Sequence, residues 1–169
     1  MGGRQAPRRA ALLAALAAAC FALAGVAAPA VARPTPAHQL RTYDKNLLYY
    51  VNHARQAHHL PPLRQSNRLY RVAYRWAEHM ARRRSLHDNP RGAHEVARRC
   101  LRWRAYGENV AAQEGTDSRS IFELYMHDRS HRANILRHRF TNVGIATVIL
   151  HRDGQTTEWD VMEFAERCR

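Results

Sequence analysis

Apolar residues follow a helical period over most of the chain. The clearest segment comes after Ser66-Asn67, where apolar side chains recur three or four positions apart, the spacing of one buried helix face. Its apolar residues are Leu69, Val72, Ala73, Trp76, Ala77 and Met80. The same pattern predicts a helix from Asp44 to Leu60, ended by Pro61-Pro62, and others near 95–101 and after Asp117.

The C-terminal part changes to a period of two. Apolar residues alternate between Val143 and Ile149, Asp153-Gly154 marks a hairpin turn, and residues 157–164 return as a second strand. Core candidates on this strand and the main helix are Trp76, Met80, Trp159 and Phe164. Helices followed by an antiparallel hairpin, with no alternating βαβ pattern, predict an α+β fold.

The N-terminal segment, residues 1–32, has the pattern of an export signal. A basic start leads into an apolar run, and Ala30-Val31-Ala32 offers a small-residue cleavage site. The run is rich in alanine and is broken by Gly25 and Pro29, so no transmembrane anchor is expected after cleavage. We therefore predict a secreted, monomeric protein in which a proline-containing linker, 33–42, precedes a single domain, 43–169.

Two cysteines remain after the predicted cleavage. Cys100 and Cys168 are far apart in sequence, and an oxidising compartment favours a disulfide that closes a long loop. Two unrelated thiols are the alternative. A metal-binding pair is not expected, because the cysteines lack a close Cys-x-x-Cys spacing.

The chain is strongly basic, with a net charge of +13, and Lys45 is its only lysine. Such a charge attracts nucleic acid, anionic lipid or acidic wall polymers. No nucleic-acid-binding motif accompanies it, so a nucleic-acid partner is not expected. The simpler interpretation is that the arginines are scattered over solvated helix faces.

Three residues carry the candidate chemistry. His87 follows the main helix in a polar loop, Glu108 belongs to Gly107-Glu108-Asn109, and His131 begins His131-Arg132-Ala133-Asn134-Ile135-Leu136. Two imidazoles and a carboxylate can hold a divalent metal or polarise a bound group if the fold brings them together. No serine or cysteine nucleophile stands beside a base, and no His-Glu-x-x-His helix is present.

The order of these motifs resembles the CAP superfamily of cysteine-rich secretory proteins, antigen 5 and pathogenesis-related proteins, and its small bacterial secreted members most of all. The motifs that carry the resemblance are Asn52-His53-Ala54-Arg55, Leu60-Pro61-Pro62-Leu63, His87, Gly107-Glu108-Asn109, His131 to Leu136 and Val143-Gly144-Ile145-Ala146. The resemblance implies an α-β-α sandwich with a central antiparallel sheet and a cavity lined by a His/Glu tetrad.

Within that resemblance, His87, Glu108 and His131 match three members of the tetrad. The second glutamate of animal and plant relatives is missing, and Asp128 is the nearest acid. Ser130 stands where bacterial relatives usually carry glycine.

In such a cavity, His87 and His131 could hold Zn²⁺ weakly and exchangeably. Glu108 would orient a histidine or act as a base, and a purely structural role at its turn is the alternative. Structural roles are expected for Asn52, Arg55, Asn109 and Asn134.

Three functions remain open from the sequence. The first is a secreted, non-catalytic binding module for lipid-like or cell-wall ligands. The second is a zinc-assisted hydrolase with Glu108 as its catalytic base. The third is a basic wall-associated protein that acts by charge alone.

Overall fold

The computed structural model describes residues 33–34 and 37–168, with side chains from Thr42 onward. The predicted export signal lies outside the described residues. The helices are α1 (Ala37–Ala57), α2 (Asn67–Arg83), α3 (Gly92–Arg99), α4 (Ser118–His127) and α5 (Arg129–Ile135). The strands are β1 (Arg33–Pro34), β2 (Arg64–Gln65), β3 (Tyr106–Glu114), β4 (Asn142–Arg152) and β5 (Gln155–Ala165).

The strands form one sheet in the order β1-β4-β5-β3, and β2 also pairs with β4. The predicted hairpin is present: β4 and β5 pair antiparallel from Asn142↔Ala165 to Arg152↔Gln155. Every pairing is antiparallel except that of the two-residue β2, which runs parallel to β4. The predicted α+β fold is therefore confirmed.

Helices cover both faces of the sheet. On one face, Trp159 and Val161 pack against α2, and α3 lies beside them. On the other, Met162 and Phe164 pack in a core shared with α1, α4 and α5. The alternation of side chains along β5 divides these two cores, as the sequence pattern predicts. A Cβ on Gly144 would stand 2.2 Å from the backbone of Leu69, so this glycine lets α2 lie directly on the sheet.

Two boundaries differ from the predicted ones. Helix α1 begins at Ala37, ahead of Asp44, so it occupies much of the predicted linker. Pro34 does not oppose this, because it lies in β1, ahead of the helix, and proline disturbs a helix only within its interior. Gly107-Glu108-Asn109 is not a turn but lies inside β3, where the long pairing with β5 keeps it extended.

Covalent and polar contacts close the fold. Cys100 and Cys168 form the predicted disulfide, which joins the end of α3 to the C-terminal segment. The fully buried guanidinium of Arg55 donates to the carbonyl oxygens of Pro61, Ile135, Arg137 and Phe140. The Asn52 side chain exchanges two hydrogen bonds with the backbone of Leu63. Among the described residues, no helix has the length and apolar character needed to cross a membrane.

Candidate functional site

The Glu108 carboxylate joins strand β3 to the loop before α3. Its Oε1 accepts a hydrogen bond from the backbone N–H of Asn89 at 2.7 Å, and its Oε2 accepts one from the Tyr106 hydroxyl at 3.0 Å. A Cβ on Gly92 would overlap the Tyr106 hydroxyl and stand 3.1 Å from Glu108 Oε2. The first residue of α3 is therefore a glycine because the helix must begin against these two side chains.

A second carboxylic acid stands beside Glu108. Glu163 is its direct partner in the antiparallel pairing of β3 with β5 and is fully buried. Among the described residues, neither carboxyl oxygen of Glu163 accepts a well-formed hydrogen bond, and the Glu108 carboxyl and the Tyr106 hydroxyl lie close to it. Burial, and then the neighbouring charge of Glu108, raise the pKa of Glu163 well above its usual range. Burial also raises the pKa of Glu108, against the lowering effect of the Asn89 N–H.

His131 stands with Asp128 at the start of α5. Asp128 caps this helix by accepting from the His131 N–H at 2.8 Å, and its Oδ1 is 3.5 Å from His131 Nδ1. The edge of the His131 ring meets the buried ring of Tyr125, with centroids 5.2 Å apart. Two of the four tetrad candidates, His131 and Asp128, are thus in contact.

Two asparagines attach this helix to β3. Asn109 Nδ2 donates to the His131 carbonyl, and Asn134 Nδ2 donates to the Glu108 carbonyl and to Asn109 Oδ1. Since Asn109 follows Glu108 in a strand, their side chains leave on opposite faces of the sheet. The link between Glu108 and the His131 segment therefore runs through the backbone of Glu108, not through its carboxylate.

His87 stands with a different set of rings. Its carbonyl accepts from Trp76 Nε1 at 2.9 Å, and its Nδ1 lies 3.1 Å from the Ser85 carbonyl. The His87 ring meets the rings of Trp76 and His79 edge-on, with centroids 5.0 and 5.9 Å apart. His79 was not among the sequence candidates; its position three residues after Trp76, on the same side of α2, is the signal that could have found it.

These placements do not supply the donor set of a zinc site. Within the described part of the chain, no three His, Cys, Asp or Glu side chains are arranged to hold a metal ion. His87 contacts the Trp76 and His79 rings, Glu108 contacts Asn89 and Tyr106, and His131 contacts Asp128 and Tyr125. A structural or catalytic zinc centre needs at least three protein ligands, so the residues present do not fit one.

A groove of about 730 Å³ opens between α2 and α3, next to the Glu108 site. Asn89, whose N–H holds Glu108, belongs to its wall, as do Trp76 and His79. Four arginines line it, namely Arg75, Arg91, Arg98 and Arg99, against one acid, Glu95. The interpretation that the arginines are scattered over solvated helix faces did not include this grouping, because the grouping depends on how α3 packs on α2.

Comparison with known proteins agrees with this fold. An outer surface protein of Borrelia burgdorferi is similar to it with a TM-score of 0.67 and 15% identity, and the match covers 81% of this chain and 99% of that protein. An extracellular protein containing an SCP domain from Bacillus anthracis is similar with a TM-score of 0.64 and 21% identity, covering 80% of this chain and 45% of that protein. A cysteine-rich secretory protein from Staphylococcus aureus is similar with a TM-score of 0.62 and 17% identity, covering 78% of this chain and 40% of that protein. The chain thus spans less than half of the latter two proteins.

At these identities the structural neighbours establish the fold alone. No curated protein matches the chain. The sequence itself matches the profile "CAP: Cysteine-rich secretory protein family" over residues 48–161, which is more than half of its length. The chain belongs to the CAP, or cysteine-rich secretory protein, family.

Proposed function

We propose that the protein is exported and acts outside the cell as a non-catalytic binding module, with its ligand held in the groove between α2 and α3. The observation that carries this proposal is the groove itself, about 730 Å³ in volume and open to solvent. Its walls are fixed from behind by the Glu108–Asn89 hydrogen bond and by the disulfide at the end of α3. A preformed concave surface of this size suits a small ligand or one end of a polymer.

The contacts of Glu108 favour binding over catalysis. Each of its carboxylate oxygens already accepts a hydrogen bond from the protein, one from a backbone N–H and one from a tyrosine hydroxyl. A general base needs an oxygen within reach of a substrate proton. Both contacts turn the carboxylate toward the protein, so we assign Glu108 to the support of the groove, as a link between β3 and the Asn89 loop.

Export is supported by three independent features. The N-terminal sequence has a basic start, an apolar run and a small-residue cleavage site. The disulfide is of a kind that persists in oxidising compartments. Similar structures are described as an outer surface protein, an extracellular protein and a secretory protein. The four arginines of the groove favour a wall component or a lipid headgroup as ligand over an acyl chain.

Co-sedimentation tests this proposal. The full chain is expressed with its leader, the protein is recovered from the culture medium, and its N-terminus is sequenced; a start near residue 33 is expected. The recovered protein is then mixed with purified bacterial wall fragments or with phosphatidylglycerol vesicles. We expect it to sediment with one of them, and Trp76→Ala, which alters the groove, to sediment less than Tyr49→Ala, which alters an exposed ring on α1.

The hydrolase alternative is tested with the same material. Wall fragments are incubated with wild type and Glu108→Gln, with and without added Zn²⁺, and soluble products are measured by mass spectrometry. Zinc-dependent release that Glu108→Gln abolishes would replace the binding proposal with the hydrolase. Zinc titration of wild type, His87→Ala and His131→Ala tests whether these two histidines bind Zn²⁺ weakly. Equal titration curves for all three proteins would show that neither histidine binds the metal.

A further inference from the structure

We propose that the groove between α2 and α3 is a binding site for an anionic saccharide, in which arginines hold phosphate or carboxylate groups and the stacked Trp76–His79 pair holds a sugar ring. This inference rests on the proposed binding function and names its ligand class. The arginines come from both helices and from the loop before α3, so they face one shared space and not a single solvated helix side.

The charge of the groove is only partly compensated. Glu95 forms ion pairs with both Arg75 and Arg99, so one carboxylate serves two guanidinium groups. Within the described residues, Arg91 and Arg98 form no ion pair, and both are exposed. An anion entering the groove would therefore meet cations that no protein acid neutralises.

Other arginines surround Arg99 in the groove wall. Burial, and then the nearby charge of Arg75, lower the pKa of the Arg99 guanidinium below its usual value. A bound anion would relieve this repulsion. Arginine also suits the role chemically, because its planar group donates two parallel hydrogen bonds to a phosphate or carboxylate, which an ammonium group does not.

The aromatic pair gives the groove a flat surface. The Trp76 and His79 rings are stacked, with centroids 4.6 Å apart and planes within 10° of each other. The indole N–H is held by the His87 carbonyl at 2.9 Å, which fixes the ring before any ligand arrives. A rigid ring loses little conformational entropy on binding. A sugar ring has an apolar face that can lie on such a surface, whereas an acyl chain would bring its methylenes against guanidinium groups.

The experiment compares saccharides of equal length by titration calorimetry at physiological ionic strength. The probes are hexagalacturonate, phosphorylated maltohexaose and neutral maltohexaose, with hexathymidylate as a nucleic-acid probe. We expect at least one anionic saccharide to bind on the order of tenfold or more tightly than maltohexaose, because charged hydrogen bonds are lost with the neutral chain. The two anionic probes show whether carboxylate or phosphate is preferred.

Two double variants of equal charge separate the groove from general attraction. Arg91→Gln/Arg98→Gln removes two groove cations. Arg129→Gln/Arg152→Gln removes two exposed ones, at the start of α5 and at the end of β4. We expect the groove variant to weaken binding of the anionic saccharide by on the order of tenfold or more, and the control by less than about threefold.

Each other outcome overturns the inference in a distinct way. Equal losses in the two double variants would mean attraction by net charge. Equal affinity for maltohexaose would mean that the groove does not recognise anions, while the binding function would stand. Tightest binding of hexathymidylate would assign the groove to nucleic acid. Failure of all four probes with a protein that still sediments with wall fragments would reject this ligand class and keep the proposed function.

Discussion

Two buried acids on the same strand, three residues apart, have opposite surroundings. Asp160 faces α1 and α4, and both of its oxygens accept hydrogen bonds at 2.7 Å, from the hydroxyls of Tyr125 and Thr147. Glu163 faces the α2 and α3 side, and neither of its oxygens has such a partner among the described residues. Two hydroxyls thus satisfy Asp160 on one face of the sheet, whereas Glu163 is paired with Glu108 behind the groove on the other.

The contrast extends to the way each face is held. On the α1 side, Arg55 donates to four carbonyl oxygens from the segments around it, so hydrogen bonds fix the layer. On the α2 side, α3 is a short helix held by the disulfide, the Glu108–Asn89 bond and surface ion pairs. A covalent bond therefore helps to hold the α3 layer, whereas buried hydrogen bonds hold the α1 layer.

The largest expected effect comes from removing that covalent bond. Cys100→Ala/Cys168→Ala opens a loop with a sequence separation of 68 residues. The chain-entropy model gives a loss of about 4 kcal/mol in the free energy of unfolding. Urea unfolding of wild type and the double variant measures it. In the double variant, backbone hydrogen exchange should become faster in α3 than in wild type, and more so than in α4. If the free energy of unfolding fell by less than about 1 kcal/mol, or if exchange became equally faster in both helices, contacts other than the disulfide would hold this layer.

The second-largest expected effect comes from Asp160→Ala, on the face of the sheet that α1 and α4 cover. Asp160→Ala leaves the buried hydroxyls of Tyr125 and Thr147 without their acceptor, and each such group costs about 1–3 kcal/mol. We expect a loss of about 3 kcal/mol in the free energy of unfolding at neutral pH. Asp160→Asn retains one acceptor oxygen and should lose less. Thermal and urea unfolding measure both variants, and a loss of the same size for Asn as for Ala would mean that the hydroxyls do not depend on this acceptor.

The sequence was sufficient for features that depend on local periodicity. The buried face of α2, the position of α4 after Asp117 and the β4–β5 hairpin all follow from patterns among neighbouring residues. A side chain's partner could not be predicted from the sequence where the contact depends on packing between distant segments. Glu163 lies between the buried apolar residues Met162 and Phe164, and only the register of β5 with β3 places it beside Glu108. The arginine grouping likewise exists only once α3 packs on α2.

The smallest expected effect is that of Glu163→Gln, which alters the Glu108–Glu163 carboxyl pair itself. The folded protein holds the Glu163 proton more tightly than the unfolded chain, because burial and Glu108 raise its pKa. An acid with a raised pKa in the fold destabilises the protein as pH rises from the unfolded value of 4.5 through the folded one. Glutamine removes this dependence and can donate to Glu108 as the protonated acid would.

We therefore expect Glu163→Gln to leave stability nearly unchanged at low pH and to raise the free energy of unfolding by roughly 1 kcal/mol above neutral pH. Urea unfolding across that pH range measures the difference. Glu108→Gln is the matched control, since an amide can accept from only one of Asn89 N–H and the Tyr106 hydroxyl, and it should lose stability at neutral pH. If Glu163→Gln instead lost stability equally at every pH, the Glu163 carboxyl would be a required partner, and Asp160 and Glu163 would be alike in role.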